Sequence, residues 1–337
     1  MSQPVVAGVL IGQAIGDMMG LPYENLAPRR VAKLAKFNRP AFFLGYGVGS
    51  DDTEHAGLTF DAWLYCNGDA KLFQKRLASN LRRWFLAGPP GIGLATLKAC
   101  LKLCFGFPLA KTGVRSAGNG PAMRAAVLGV LVPTTQLSEF VEISTRLTHT
   151  DKRAIIGSLL IAELASVAKT IQPECGVTWL EEFTRRYVAQ DDLKPLTTNL
   201  KLAADGLRSN SSVSDFARVL CKSRGVSGFI AHTVPVAVFA FFRHADDYEQ
   251  GIREVILAGG DTDTVAAVTG ALIGARVGVD GIPTIWKARH LDWPWSLKRL
   301  GEGTRPGLLL WPLMLARNVA FFVAVIGHVS RRLLPPW

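Results

Sequence analysis

The sequence is short of charge, with 19% charged residues against 49% hydrophobic ones. That balance excludes a disordered chain and suits a heavily buried protein. It also has no CxxC pair among its five cysteines, Cys66, Cys100, Cys104, Cys175 and Cys221, and no histidine at zinc-finger spacing. An odd, scattered set reads as reduced thiols, and the expected compartment is the cytoplasm. Cys100 and Cys104 share a helix face, but two ligands do not make a zinc site, and packing is the expectation for them. No Lys or Arg precedes Arg29, and Asp17 interrupts the first apolar run, so a cleavable signal peptide is not expected. Alternating strand patterns are scarce, and neither a repeat of solenoid period nor a low-complexity linker is present.

What is present is helical periodicity. Apolar residues recur at three-to-four spacing over Leu72 to Leu86, Ala122 to Leu131, Arg153 to Lys169 and Val234 to Phe242, each punctuated by Gly or Pro. The 337 residues are enough for one large domain or two ordinary ones, and a single all-α domain over residues 1–300 is the simplest reading. Residues 301–337 then form an apolar and basic extension. The net charge of +11 favours anionic partners such as phosphates, nucleic acid or acidic headgroups.

Gly8, Gly12, Gly16 and Gly20 stand at four-residue intervals in the first helix, and Ala266, Gly270, Gly274 and Gly278 repeat the spacing near the end. Glycine in a helix costs roughly 1 kcal/mol relative to alanine. Two bare ridges therefore predict a close crossing of these helices in the core. Asp17 on one and Arg276 on the other favour a soluble core over membrane spans.

Three acidic groups surround these helices: Glu24 in GDMMGLPYE, the run SDDTE from Ser50 to Glu54, and GGDTDT from Gly259 to Thr264. Helix capping explains one side-chain oxygen at each helix start. It does not explain several in a row. Clustered like charges are unfavourable unless a cation neutralises them, and oxygen-only donors point to Mg²⁺, Mn²⁺ or Ca²⁺, with room for a two-metal site.

The ordered series GDMMGLPYE, SDDTE, AGNGPAMR, LTHTD and GGDTDTVAAVTGALIGARVG resembles the motifs of the ADP-ribosylglycohydrolase family, the relatives of dinitrogenase reductase-activating glycohydrolase. The GIP and Trp run from Gly281 to Trp286 fits the same pattern. The resemblance implies an all-α fold with a binuclear Mg²⁺ or Mn²⁺ centre at the base of an ADP-ribose cleft. It implies metal ligation by Ser50, Asp51 and Asp52 on one side and by Asp261, Asp263 and Thr264 on the other, with Asp263 bridging. Ser50 stands where many relatives have Thr and keeps the hydroxyl.

The implied reaction is metal-dependent hydrolysis of the bond between the anomeric carbon of ADP-ribose and an acceptor, with Glu24 and Asp263 as catalytic residues. Gly118, Asn119 and Gly120 are expected to bind substrate, with the diphosphate at a helix start near Pro121. His149 is expected to line the cleft, or else to be structural. Met123 is expected in the core, and Asp17 either in the site or as a structural hydrogen-bonding group. His55, His232, His244, His290 and His328 receive no role.

From Leu308 to Gly327 the chain is almost wholly apolar apart from Arg317 and Asn318, with Pro312 near the start and Arg331 and Arg332 following. A central Arg costs roughly 2.5–3.5 kcal/mol in a bilayer. Residues 308–332 therefore contact a membrane surface, pack on the domain or form a dimer interface. Expected partners are an ADP-ribosylated protein or small molecule. Rival readings are a non-catalytic ADP-ribose-binding module and a basic nucleic-acid binder, the latter motivated by the excess of 11 positive charges, whereas the interleaved Arg82, Arg83, Trp84 and Phe85 read as the surface and core faces of one helix.

Overall fold

The computed structural model describes residues 3–42, 45–292 and 310–332. Sixteen α-helices stand among them, with isolated bridges and no strand among the described residues. The first are α1 Gln3–Gly20, α2 Pro28–Leu34, α3 Asp51–Cys66, α4 Ala70–Leu86 and α5 Leu94–Cys104. Then come α6 Ala125–Leu131, α7 Thr134–Arg146, α8 Lys152–Val167, α9 Gly176–Arg185, α10 Lys194–Arg208 and α11 Val213–Cys221. The last are α12 Ile230–Arg243, α13 Tyr248–Leu257, α14 Thr262–Val277, α15 Thr284–Ala288 and α16 Leu310–Arg332. All five cysteines are free.

Helices α1 and α14 form the central pair. Gly8, Gly12, Gly16 and Gly20 face Gly274, Gly270, Ala266 and Thr262 in turn, and a Cβ added to any of the four would overlap the facing carbonyl oxygen. The helices run antiparallel along each other for their whole length, which extends the single crossing expected from the sequence. Gly278 caps α14 at φ +69°, and its Cα also lies against Gly8 at that end of the pair. Tyr248 Oη donates to the Gly12 carbonyl at 2.5 Å and Thr262 Oγ1 to the Gly20 carbonyl at 2.9 Å. By length and composition the window Pro4–Tyr23 is apolar enough to cross a membrane, yet 72% of it is buried inside the protein.

The periodic segments fall in helices, with one break. Ala122 to Leu131 divides into a 3-10 turn, Ala122–Arg124, and the seven-residue α6. Helix α12 contains Pro235. Proline cannot donate to the carbonyl one turn back, and that Ala231 carbonyl accepts from Asn199 Nδ2 at 2.7 Å instead.

Helix α16 packs on the domain with an inverted polarity. Met314, Arg317, Asn318 and Phe321 are buried, while Leu315, Val319, Phe322 and Ile326 are exposed. The expected boundary between residues 300 and 301, and the start of the apolar run at residues 308 and 309, lie outside the described residues.

Backbone contact between α1 and α14 leaves no room for a methyl group. Gly12→Ala is expected to lower unfolding stability by about 3 kcal/mol or more. Gly327→Ala, on an exposed helix position with open space around it, should raise stability by about 0.5–1 kcal/mol. Urea melts of both variants check the contrast.

Candidate active site

The residues Gly259 and Gly260 thread between two loops. The Asn25 N–H donates to the Gly260 carbonyl at 2.7 Å, and the Gly260 N–H to the Leu26 carbonyl at 2.8 Å. On the other side the Val226 N–H donates to the Gly259 carbonyl at 2.9 Å, and the Asp261 N–H to the Val226 carbonyl at 2.7 Å. Gly260 sits at φ +84°, and a Cβ there would strike the Val226 carbonyl. Glycine is required by both conditions. The threading brings the Glu24 loop beside the start of α14.

Asp261 occupies the N-cap position of α14 but makes no capping hydrogen bond. Its Oδ2 accepts from Asn119 Nδ2 at 2.6 Å. Capping therefore fails to account for this carboxylate. Ser50 does cap α3, accepting from the Asp52 N–H at 3.2 Å.

The SDDTE turn is tied to α1 from within. Asp17 Oδ2 accepts from the Ser50 N–H at 2.7 Å, the Thr53 N–H at 3.1 Å and Thr53 Oγ1 at 2.5 Å. Gln13 Nε2 donates to the Asp52 carbonyl at 2.7 Å and also to the Met123 carbonyl. Asp17 thus takes the structural hydrogen-bonding role. Asp52 Oδ2 accepts from Thr264 Oγ1 at 3.1 Å and from Ser50 Oγ at 3.4 Å, which joins the start of α3 to the start of α14.

These acids share one electrostatic neighbourhood. Burial, then repulsion from Asp17, Glu54 and Glu24, holds Asp51 well above the usual carboxylate range. Burial followed by Asp17, Asp51 and Asp261 does the same to Asp52, and burial followed by Glu24, Asp261, Asp52 and Asp17 to Asp263. Burial pushes Asp17 up to about 6 against the hydrogen bonds from Thr53 and Ser50.

A hard cation fits this donor set. Asp17 Oδ1, Asp52 Oδ1 and Asp263 Oδ1 are buried without a hydrogen-bond partner, and no salt bridge among the described residues involves Asp17, Asp51, Asp52, Asp261 or Asp263. Orphaned oxygens and uncompensated negative charge are what Mg²⁺ or Mn²⁺ relieves. Among the described residues, however, no group of three or more His, Cys, Asp or Glu stands ready to hold an ion. Two of the carboxylate oxygens, Asp261 Oδ2 and Asp52 Oδ2, are turned onto Asn119 and onto Thr264 and Ser50.

The cleft in front of the acids has a volume of about 560 Å³. Of the residues expected from the sequence, Glu24, Asp51, Gly118, Asn119, Gly120, His149, Asp261, Asp263 and Thr264 line it. Ser50 and Asp52 are buried and are not among the residues lining the cleft. The helix start expected near Pro121 is a 3-10 turn, Ala122–Arg124, ahead of the short, buried α6. Gly118 and Gly120 also give room to His149: a Cβ on either would come within 3.2 Å of its ring. Met123, expected in the core, is buried but borders the cleft.

Burial, aided by Arg124, pushes the His149 imidazole down to about 3, so it is neutral. Its Nδ1 lies 2.9 Å from Thr148 Oγ1, which accepts from Arg124 Nη2 at 2.7 Å. Arg124 is fully buried and also donates to Ser144 Oγ at 2.9 Å. Sequence reasoning missed Gln13, Arg124 and the loop Arg224 to Gly228, because none carries a local signal apart from the glycines of that loop. Trp84 offers no stacking face to nucleic acid: it is fully buried and donates to Glu54 Oε2 at 2.5 Å.

The family model described as ADP-ribosylglycohydrolase matches residues 4–308. A protein of Archaeoglobus fulgidus named only as uncharacterized is 30% identical, over 79% of this chain and 86% of its own. The Gallus gallus protein named ADP-ribosylhydrolase ARH3 is 26% identical, over 83% of this chain and 87% of its own. A solved structure named as an ADP-ribosylglycohydrolase-related protein complex aligns with a TM-score of 0.62 over 94% of this chain and 98% of that one. At 24% identity it speaks for a shared fold.

Two outcomes follow from the electrostatics. Replacing a buried acid by its amide removes repulsion in the metal-free state but also removes a donor. Asp263→Asn should therefore raise the Tm of chelator-treated protein by about 2–4 °C and abolish the rise in Tm that Mn²⁺ gives the parent, as read by differential scanning calorimetry. For His149, the folded state resists protonation that the unfolded state accepts. No stability is lost above the ordinary value of 6.5, and stability falls as pH drops below it. Between about pH 6.5 and pH 4.5 the loss is about 2 kcal/mol, and urea melts of His149→Gln should lack that part of the fall.

Proposed function

The chain belongs to the ADP-ribosylglycohydrolase family, and from that premise we propose that it is a metal-dependent hydrolase that removes ADP-ribose from a modified protein or small molecule. The bond cleaved is the one at the anomeric carbon of the distal ribose. One observation carries this reading: a cluster of buried carboxylates, without cationic partners among the described residues, lies at a cleft of about 560 Å³. Clefts of about 300–1,000 Å³ suit small ligands.

Ser50, Asp51 and Asp52 would hold Mg²⁺ or Mn²⁺ from the start of α3, and Asp261, Asp263 and Thr264 from the start of α14. Bound there, the ions supply positive charge that orients and polarises the ribose hydroxyls. Glu24, on the cleft wall beside Asp51 and Asp263, takes a proton from the attacking water. The water oxygen bonds to the anomeric carbon as the bond to the acceptor breaks, and the proton taken up by Glu24 passes on to the leaving acceptor, so that one water is consumed and Glu24 is restored. Asn119 holds Asp261 through its amide. Neutral His149 lines the cleft without adding charge beside the sugar. Among the described cleft-lining residues Arg224 is the one permanent cation, and it is suited to the diphosphate.

Purified protein incubated with ADP-ribosyl-arginine, or with an ADP-ribosyl-serine peptide, should release ADP-ribose with Mg²⁺ or Mn²⁺ and not with chelator. Glu24→Gln should slow release by about 10²–10⁴-fold. Arg224→Ala should raise KM by about tenfold or more with kcat little changed. If neither substrate is cleaved while ADP-ribose still binds in a calorimeter, the hydrolase reading gives way to a non-catalytic ADP-ribose-binding module.

A further inference from the structure

Helix α16 begins beyond residue 308, where the family match ends. It nevertheless reaches the candidate metal site. Arg317, the one charged residue between Leu308 and Gly327, is 8% exposed. Its Nη1 donates to Glu54 Oε1 at 2.8 Å and to Asn318 Oδ1 at 2.9 Å, and its Nη2 donates to the Gly49 carbonyl. The guanidinium lies 4.9 Å from the centre of the Phe321 ring. Asn318 Nδ2 donates to the Ala87 carbonyl at 2.9 Å, which fixes the helix to the end of α4.

Gly49 and Glu54 bracket the turn that carries Ser50, Asp51 and Asp52. Asp17 holds that turn from within, through the Ser50 and Thr53 N–H groups. Arg317 holds it from outside, at both ends. The fork geometry matters: one guanidinium can serve a carboxylate and a backbone carbonyl together, which an ammonium on a flexible stem does less well. Glu54 has no other cation among the described residues, and its second oxygen is occupied by Trp84.

We propose that Arg317 is a positioning residue: from a helix outside the family match, it clamps Gly49 and Glu54 so that Ser50, Asp51 and Asp52 present their oxygens to a divalent cation. The inference rests on the metal reading given above. A purely structural ion pair would stabilise α16 on the domain and leave ion affinity unchanged.

The test is Mn²⁺ binding by titration calorimetry on the full chain, beside urea melts of the metal-free protein. Arg317→Met keeps an apolar stem and removes the fork. Its Mn²⁺ affinity should fall by about 10–100-fold, while KM for an ADP-ribosylated substrate at saturating Mn²⁺ stays at the parent value. Arg317→Lys, which keeps the pair with Glu54 but not the second arm, should recover part of the affinity. Glu54→Gln combined with Arg317→Met buries no lone charge and decides the matter if the single variant fails to fold. It should still bind Mn²⁺ more weakly than the parent, because the Gly49 carbonyl has lost its donor. A folded Arg317→Met or double variant that binds Mn²⁺ as tightly as the parent overturns the proposal. A parent protein that binds no Mn²⁺ contradicts the metal reading itself, and the role of Arg317 falls with it.

Discussion

Backbone-to-backbone contact between α1 and α14 is the constraint on which the site depends. Four residues without bulk on α1 meet Gly274, Gly270, Ala266 and Thr262 on α14, and no side chain separates the two helices. The antiparallel register places the end of α1 beside the start of α14. Glu24, just past one, and Asp261 and Asp263, at the other, are neighbours for that reason. Gln13 and Asp17, both on α1, then fix the start of α3 through the Asp52 carbonyl and the Ser50 and Thr53 N–H groups. Three segments far apart in sequence are thus referred to one helix.

The acids so assembled are unfavourable on their own. Burial and mutual repulsion push Asp51, Asp52 and Asp263 toward protonation, the opposite of what folding for stability would select. Such conflict between local energetics and the fold is expected at functional sites. Two devices limit it from within the protein. Asn119 ties down one oxygen of Asp261, and Arg317 neutralises Glu54 behind the turn. The remaining orphaned oxygens are the ones a divalent cation would take.

Much of this was legible in the sequence because the signals are periodic or dense. The glycine spacing announced the central helix pair, and the excess of oxygens in SDDTE and GGDTDT announced more than capping. Other parts were not legible, for physical reasons. Gly118 and Gly120 have the composition of an anion cradle, but a Cβ on either would also press on the His149 ring, a contact across 31 and 29 residues that the local sequence does not show. Arg124 and Gln13 are single polar residues in apolar stretches, and only the tertiary structure shows which carbonyls and hydroxyls they satisfy. Arg317 was conspicuous as a charge in an apolar run, yet its partners, Glu54 and Gly49, lie more than 260 residues away. The same isolation that suggested a bilayer cost marked an inward-facing fork.

The most direct test of the central claim is anomalous scattering from a crystal of the protein grown with Mn²⁺. The account predicts anomalous peaks between the start of α3 and the start of α14, within ligand distance of Asp51, Asp52 or Asp263. Ordered crystals with no peak there, or with Mn²⁺ only elsewhere, would contradict it.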